Sequence, residues 1–420
     1  MEEIKKNRII LNNIDITENR IEYNYNIDGE WAECFSLEQS FFVEYNNSDI
    51  MNVPKSIAVI PFLGSVLPMA WVCDAEVVIP ECDKDFIDNI DDVKNGYINM
   101  FPGFNFGGCL NVEKVIDNSR DSLDGVMSLF SGGVDAFNTL TMHADEKLIL
   151  LSLWGADVKL TDEAGWNIVS EHLKQTAKDF NIDCVEAKTS FRRFLKEGKL
   201  DKVVSSSGDG WWHGFQHGMG IITHAAPIAY LRDVKTVYIA SSFTAADKGN
   251  YTCASDPTID NHIRFGGSSV CHDGYEFARQ QKIHNIVEFC KKTGKSISLR
   301  VCWESSGGSN CCECEKCWRT ILGIIAEKQD PRKFGFEYTD NSFKKLSRKW
   351  RFSDNIMCGS LRYGPIHDAM HSNWERKDIP NELKWFYYTK REKLGVHPVI
   401  HNVKRVYYVL GRIKEKMLGK

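Results

Sequence analysis

From Val126 onward, short apolar runs alternate with helical segments, and no other feature limits the fold as tightly. The runs are VMSLF (126–130), LILLSLW (148–154), DCVEA (183–187) and VKTVYIASS (234–242). Between the second and third, Trp166, Val169, Leu173, Ala177 and Phe180 recur at helical spacing and predict an amphipathic helix over Thr161–Phe180. Strand, helix, strand in this rhythm requires crossover connections, which are right-handed and build a parallel sheet with helices on both faces. Ligands of such sheets bind at the carboxyl ends of the strands.

At the end of the first run stands SGGVD, Ser131 to Asp135, with Ala136 following. Glycine lets backbone approach an anion closely, and the first N–H groups of a helix point at it with the dipole favouring negative charge. The Ser131 hydroxyl can add a donor. Asp135 suits a Mg²⁺ bridging phosphate oxygens rather than phosphate itself. A tight strand-to-helix turn explains the same letters. The loop is neither a Walker A sequence nor a dinucleotide fingerprint.

Five of the fourteen cysteines lie between Cys302 and Cys317. Cys302, Cys311, Cys314 and Cys317 have the spacing C-x8-C-x2-C-x2-C, and four thiolates form the closed tetrahedral site of structural Zn²⁺. An iron–sulfur cluster is the other reading of four cysteines. Cys312 breaks the pattern and is expected to point away, while Lys316 and Arg319 can offset the thiolate charge.

The first 118 residues read as a β-rich or mixed module. Ile21, Tyr23, Tyr25 and Ile27 alternate ahead of Asp28-Gly29, a hairpin signal. IAVIPFLGSVLPMAWV (57–72) is uncharged but short, with two prolines and a glycine, and is expected as a buried strand and turn rather than a membrane span. VEKVIDNSRDSLDG (112–125) reads as a linker to an α/β domain over 119–335. Within that domain a helix is expected near Tyr275–Lys292, a strand at SISLRVCW (296–303) and a helix from Cys317 to about Lys328. Residues 336–420 read as a basic, aromatic, mostly helical extension. Residues 341–420 hold 18 Lys+Arg against 7 Asp+Glu, although the whole chain carries −5. No apolar leader opens the sequence, and a cytoplasmic location without membrane contact is the expectation.

Ser131-Gly132-Gly133-Val134-Asp135 resembles the SGGxDS loop of the PP-loop ATP pyrophosphatases, with Ala136 where the last serine stands. The resemblance implies a HUP-type α/β domain binding ATP along Phe130–Ala136, that is Phe130, Ser131, Gly132, Gly133, Val134, Asp135 and Ala136. Within that group, the 7-cyano-7-deazaguanine synthases (QueC family) carry the same loop followed by the same cysteine spacing, and the likeness spans about Val126 to Lys328. It implies an AMP-forming ligase using ATP, Mg²⁺ and a structural Zn²⁺. Such an enzyme adenylates a carboxylate or amide oxygen of a small molecule for attack by ammonia or another nucleophile. Asp135 and Arg279 (Lys282 second) would then be catalytic. Gly218, Ser241, Ser242, Asp256 and Asp260 would line the substrate pocket, with Trp211, Trp212, His213 and His217 as further candidates. The Arg-Asn pair that follows the family's glycine is replaced by Met219-Gly220. Two other readings stay open: an enzyme acting on nucleic acid through the basic tail, less favoured because the rest of the chain is acidic, and a nucleotide-binding protein without turnover. An oligomer is compatible with all three.

Overall fold

The computed structural model describes residues 7–120, 122–249, 251–302, 308–339, 341–346, 359–391 and 394. The chain divides into two compact units, one built from residues up to Phe277 and the other from Ala278 onward, with Gly308 grouped with the first.

The first unit carries eleven strands: β1 (Arg8–Ile16), β2 (Arg20–Asp28), β3 (Phe42–Asn46), β4 (Glu76–Asp83), β5 (Cys109–Ile116), β6 (Gly125–Leu129), β7 (Leu148–Trp154), β8 (Asp183–Thr189), β9 (Val234–Ala240), β10 (Arg264–Phe265) and β11 (Ser268–Asp273). Its helices are α1 (Lys55–Ala58), α2 (Ile60–Val72), α3 (Lys84–Met100), α4 (Val134–Met142), α5 (Glu163–Phe180), α6 (Glu197–Val203), α7 (His217–Ile222), α8 (Ala226–Leu231) and α9 (Pro257–Asp260). One mixed, mostly parallel sheet runs β10-β11-β9-β6-β7-β8-β3-β2-β1-β4-β5. Within it β8, β7, β6, β9 and β11 are mutually parallel, and in order of appearance they read 3-2-1-4-5. The chain builds outward from β6 in one direction, then crosses to β9 on its other side. Loops leaving β6 and β9 therefore diverge, and the crevice between them is the switch point of such sheets.

The strands from Val126 lie where the apolar runs predict, and the α/β architecture follows from them. β7 is buried through its first five residues, which suits a parallel strand covered on both faces. α5 matches its periodicity; the Asp162 carboxylate accepts from Gly165 N at its start, and Asn181 in the left-handed region ends it.

Four expectations for the first unit change. The sheet and its core cross residue 118, because β3 pairs with β8 and one apolar cluster runs from Ile9 to Val270. Tyr45 Oη donates to His224 O at 2.7 Å and Tyr97 Oη to Phe215 O at 2.9 Å, so the early residues help to build the sheet's support. Asp28-Gly29 leads into a 3₁₀ turn at Glu30–Cys34; β2 instead forms its hairpin with the preceding β1. Residues 57–72 are buried but helical, since an almost wholly apolar run has no period to distinguish strand from helix. Part of the expected linker, Val112–Ile116, belongs to edge strand β5. Among the described residues no helix is long and apolar enough to cross a membrane.

The second unit contains α10 (Arg279–Thr293), α11 (Glu315–Ala326) and a helix at Gly359–Asn373. Residues 296–302 form no strand. Leu299 N bonds to Phe334 O at 2.9 Å and Val301 N to Asn310 Oδ1 at 2.9 Å, so loop partners replace a ladder. Of the expected helical extension, KWFYYTKR contributes a short helix at Lys384–Tyr387, while KRVYYVLGRIKEKM lies outside the described residues.

Candidate metal centre and glycine loop

The four expected cysteines converge. Their sulfurs all lie within 4.8 Å of one another, with Cys302 Sγ 3.9 Å from Cys314 Sγ and Cys311 Sγ 3.9 Å from Cys317 Sγ. A tetrahedral ion with metal–sulfur bonds of about 2.3 Å sets its sulfurs about 3.8 Å apart, so this cluster can hold a metal such as zinc.

Backbone builds the cluster. Cys312 adopts φ +52°, the left-handed step that turns the chain back on itself. Glu313 N and Cys314 N then donate to Cys311 Sγ at 3.4 and 3.3 Å, and Cys317 N donates to Cys314 Sγ at 3.4 Å. Cys314 is thereby the N-cap of α11, whose dipole favours a thiolate there. Cys312 points away and packs; burial pushes its thiol up to about 11.

Asn310, which spacing did not single out, holds the other arm. It accepts from Val301 N and donates to Leu299 O at 2.7 Å and Gly335 O at 2.9 Å, locking the segment that ends at Cys302. Protons in the cluster are unevenly held. Hydrogen bonds from the Cys317 thiol, then from its backbone N–H and the other thiols, draw Cys314 down to about 5 against the cost of burial. Cys317 is pushed up chiefly by Cys314, and Cys311 chiefly by burial. Arg319 turns toward Glu315 at 3.5 Å; burial first, and Arg279 next, lower its guanidinium to about 10.

The glycine loop is built differently. Phe130 N donates to Leu151 O at 2.8 Å, carrying β6 one residue further. Gly132 takes φ +76°, and Gly133 returns to extended backbone as the N-cap of α4. Gly133 has no side chain with which to cap this helix, and the opening N–H groups lie at the carboxyl end of the central strand. Thr139 Oγ1 donates to Asp273 Oδ2 at 2.6 Å, pinning α4 to the end of β11. Phe130 is packed against Phe137 and His172, so its contribution to the loop is backbone. Ala136 is buried.

The expected substrate residues scatter around the same edge. Gly218 and Asp260 meet: a Cβ on Gly218 would lie 2.6 Å from Asp260 Oδ1. Asp260 is fully buried, with Ser255 Oγ and His272 Nδ1 each 2.8 Å from its Oδ2. Burial raises its carboxyl, and His272 opposes the rise. Ser241 is buried, its N–H donating to Asp273 O at 2.8 Å, whereas Ser242 is exposed. Asp256 is occupied as the cap of α9, accepting from Thr258 N at 2.9 Å and Thr258 Oγ1 at 2.6 Å. Arg279 opens α10 in the second unit and donates through Nη2 to Thr320 Oγ1 at 3.3 Å.

Trp211 is core, fully buried with Nε1 donating to Gln216 Oε1 at 2.9 Å, and offers no stacking face. Trp212 is half-buried beneath the Arg192 guanidinium at 3.9 Å and begins a π-helical turn, Trp212–Gln216. That turn presents His213, whose Nδ1 lies 3.0 Å from Asp209 Oδ2; Thr252 Oγ1 donates to the same carboxylate at 2.5 Å. Asp209 and Thr252 carry no sequence signal, because they meet only across the fold. His217 Nδ1 is 3.8 Å from Cys253 Sγ, a thiol that burial raises to about 12.

Comparison of the chain with protein-family models, with curated proteins and with solved structures finds no match.

Proposed function

We propose that the chain is an ATP-dependent, AMP-forming enzyme of the PP-loop type, with a HUP-like first unit and a zinc-binding second unit. One observation carries the reading. A helix start with glycine as its N-cap, preceded by a left-handed glycine, stands on the central strand of a 3-2-1-4-5 sheet at its switch point. That combination is suited to a polyphosphate. The downstream cysteine cluster in its QueC-like spacing supports the same family.

In this reading the amides of residues 131–136 hold the β- and γ-phosphates and steady the charge of the departing pyrophosphate. Asp135 would hold Mg²⁺, which supplies charge neutralisation on phosphate oxygens when bound. A carboxylate or amide oxygen of the substrate attacks the α-phosphorus, the bond to pyrophosphate breaks, and an adenylate forms. Ammonia or another nucleophile then attacks the acyl carbon, the C–O bond breaks, and AMP leaves with the electron pair. The residues around Gly218 and Asp260 are the candidate substrate wall, and the Cys₄ ion is structural.

The test is titration of the full chain with MgATP, followed by pyrophosphate release with ammonia over a set of carboxylates. Saturable nucleotide binding that weakens at least tenfold in Asp135→Asn, with AMP and pyrophosphate formed in equal amounts, is expected. A chain that neither binds MgATP nor releases pyrophosphate overturns the proposal.

A further inference from the structure

Three helices of the second unit run parallel. Arg279 meets Thr320 and His284 meets Glu327 at 2.9 Å, so α10 and α11 rise together. Arg362 meets Glu315 at 3.7 Å and Asn373 Nδ2 bonds to Ala326 O at 3.0 Å, so the Gly359–Asn373 helix runs the same way. The first turns of α11 and of the Gly359–Asn373 helix lie at one end, where their dipoles add positive potential, while α10 begins beside the later turns of α11, at Gly323 and Glu327. Arg319 and Arg362 flank the carboxylate of Glu315 at the shared end, and Arg279, reaching from α10, acts on Arg319.

The cluster is not a closed salt bridge. Arg319 Nε is 3.5 Å from Glu315 Oε1, and Arg362 Nη1 is 3.7 Å from Oε2, well beyond the 2.7–2.9 Å typical of charge-assisted hydrogen bonds. Glu315 is 94% buried, yet neither of its oxygens accepts a hydrogen bond among the described residues. Arg319 Nε is buried without an acceptor as well. Buried charges held apart in this way are costly unless something bridges them. Arg362, 28% exposed, leaves one side accessible.

We propose that Arg319 and Arg362, with Glu315 between them, bind a phosphate-type oxyanion that carries a P–OH group. The guanidiniums donate to its unprotonated oxygens, a match of planar fork to tetrahedral oxyanion. Glu315 accepts from the P–OH and thereby rejects any oxyanion that has no proton to give. Sulfate has nearly the same shape and charge but no such proton near neutral pH, so it meets an unpaired carboxylate. This site is built from residues of the second unit, the glycine loop from residues of the first, and the proposal stands whether or not the chain adenylates a substrate. Free phosphate and the terminal phosphate of a nucleotide share the required chemistry.

Isothermal titration of the full, metal-loaded chain with inorganic phosphate, sulfate and AMP at neutral pH tests it. Phosphate is expected to bind saturably and sulfate at least tenfold more weakly. Arg362→Gln should weaken phosphate at least tenfold, and Asp135→Asn in the glycine loop should leave it unchanged. Glu315→Gln should erase the preference by admitting sulfate, with metal content and circular dichroism confirming that both variants fold. AMP competing with phosphate at this site assigns a nucleotide's phosphate, whereas failure to compete assigns the free ion. No saturable phosphate binding, equal binding of sulfate by the unaltered chain, or discrimination that survives Glu315→Gln overturns the proposal.

Discussion

The cysteine cluster and the glycine loop both gather groups suited to a charged ligand, and they do so by opposite means. In the cluster, side chains carry the chemistry, and a left-handed Cys312 with three N–H···S bonds arranges them within a few residues. In the loop, backbone carries the chemistry, and its placement depends on strands contributed from across the first unit. A side-chain site advertises itself by residue type and spacing. A backbone site does so only when its strand's position in the sheet is known.

The sharpest way to test that contrast is to remove the metal. Chelation, or Cys314→Ser, should cost the second unit stabilisation on the order of 10 kcal/mol and unfold it, because metal binding and folding are one equilibrium in such sites. Near-ultraviolet dichroism and metal analysis should show loss of structure around Trp318 with the metal gone, while the first unit keeps its core. A second unit unchanged without metal would make the cluster a passenger.

The matching change in the loop is Gly132→Val. A β-branched residue at φ +76° is strained by about 1–3 kcal/mol, and its side chain adds bulk beside the amides. MgATP affinity should fall more than tenfold while the metal content stays the same, read by calorimetry and metal analysis. Equal affinity in the variant would mean that the loop is only a turn.

The next test concerns the first unit's support rather than its edge. His224 is fully buried, its Nδ1 donating to Gly220 O at 2.7 Å and its Nε2 lying 2.9 Å from Thr189 Oγ1, and burial lowers its imidazole to about 4. The unfolded chain takes up this proton near pH 6.5, the folded chain only near 4. Stability is therefore full above about pH 6.5 and falls as pH drops toward 4, by up to about 3 kcal/mol. Denaturant melts at pH 7 and pH 4.5 check this, and His224→Asn should flatten the difference. An unchanged slope in the variant would assign acid sensitivity to other groups.

How much was legible follows the same division. β7 coincides with its apolar run from Leu148 to Trp154, and α5 with its heptad-like face, because each is specified by local pattern. Residues 296–302 look like a strand but have no strand to pair with; Asn310 and Phe334 satisfy them instead. The almost wholly apolar 60–72 stretch is buried on nearly every side and so has no polar face to mark it as the helix it forms. Gly218 and Asp260 were named from position in the chain and do meet, while Asp256 is consumed in capping α9. Thr252 against Asp209, and Arg362 against Glu315, have no signature because each joins residues far apart in the chain, although Asp209–His213 and Glu315–Arg319 are local pairs four residues apart.

By itself the sequence determined the alternating α/β rhythm, the glycine turn and the four cysteines whose sulfurs can hold a metal, since each rests on spacing within a few residues. Tertiary structure decided that the first 118 residues join the same sheet, that β6 is the central strand beside the switch point, and which buried charges face one another. Those depend on contacts between residues far apart in the chain, where hydrophobic burial and strand pairing, not local preference, choose the partner.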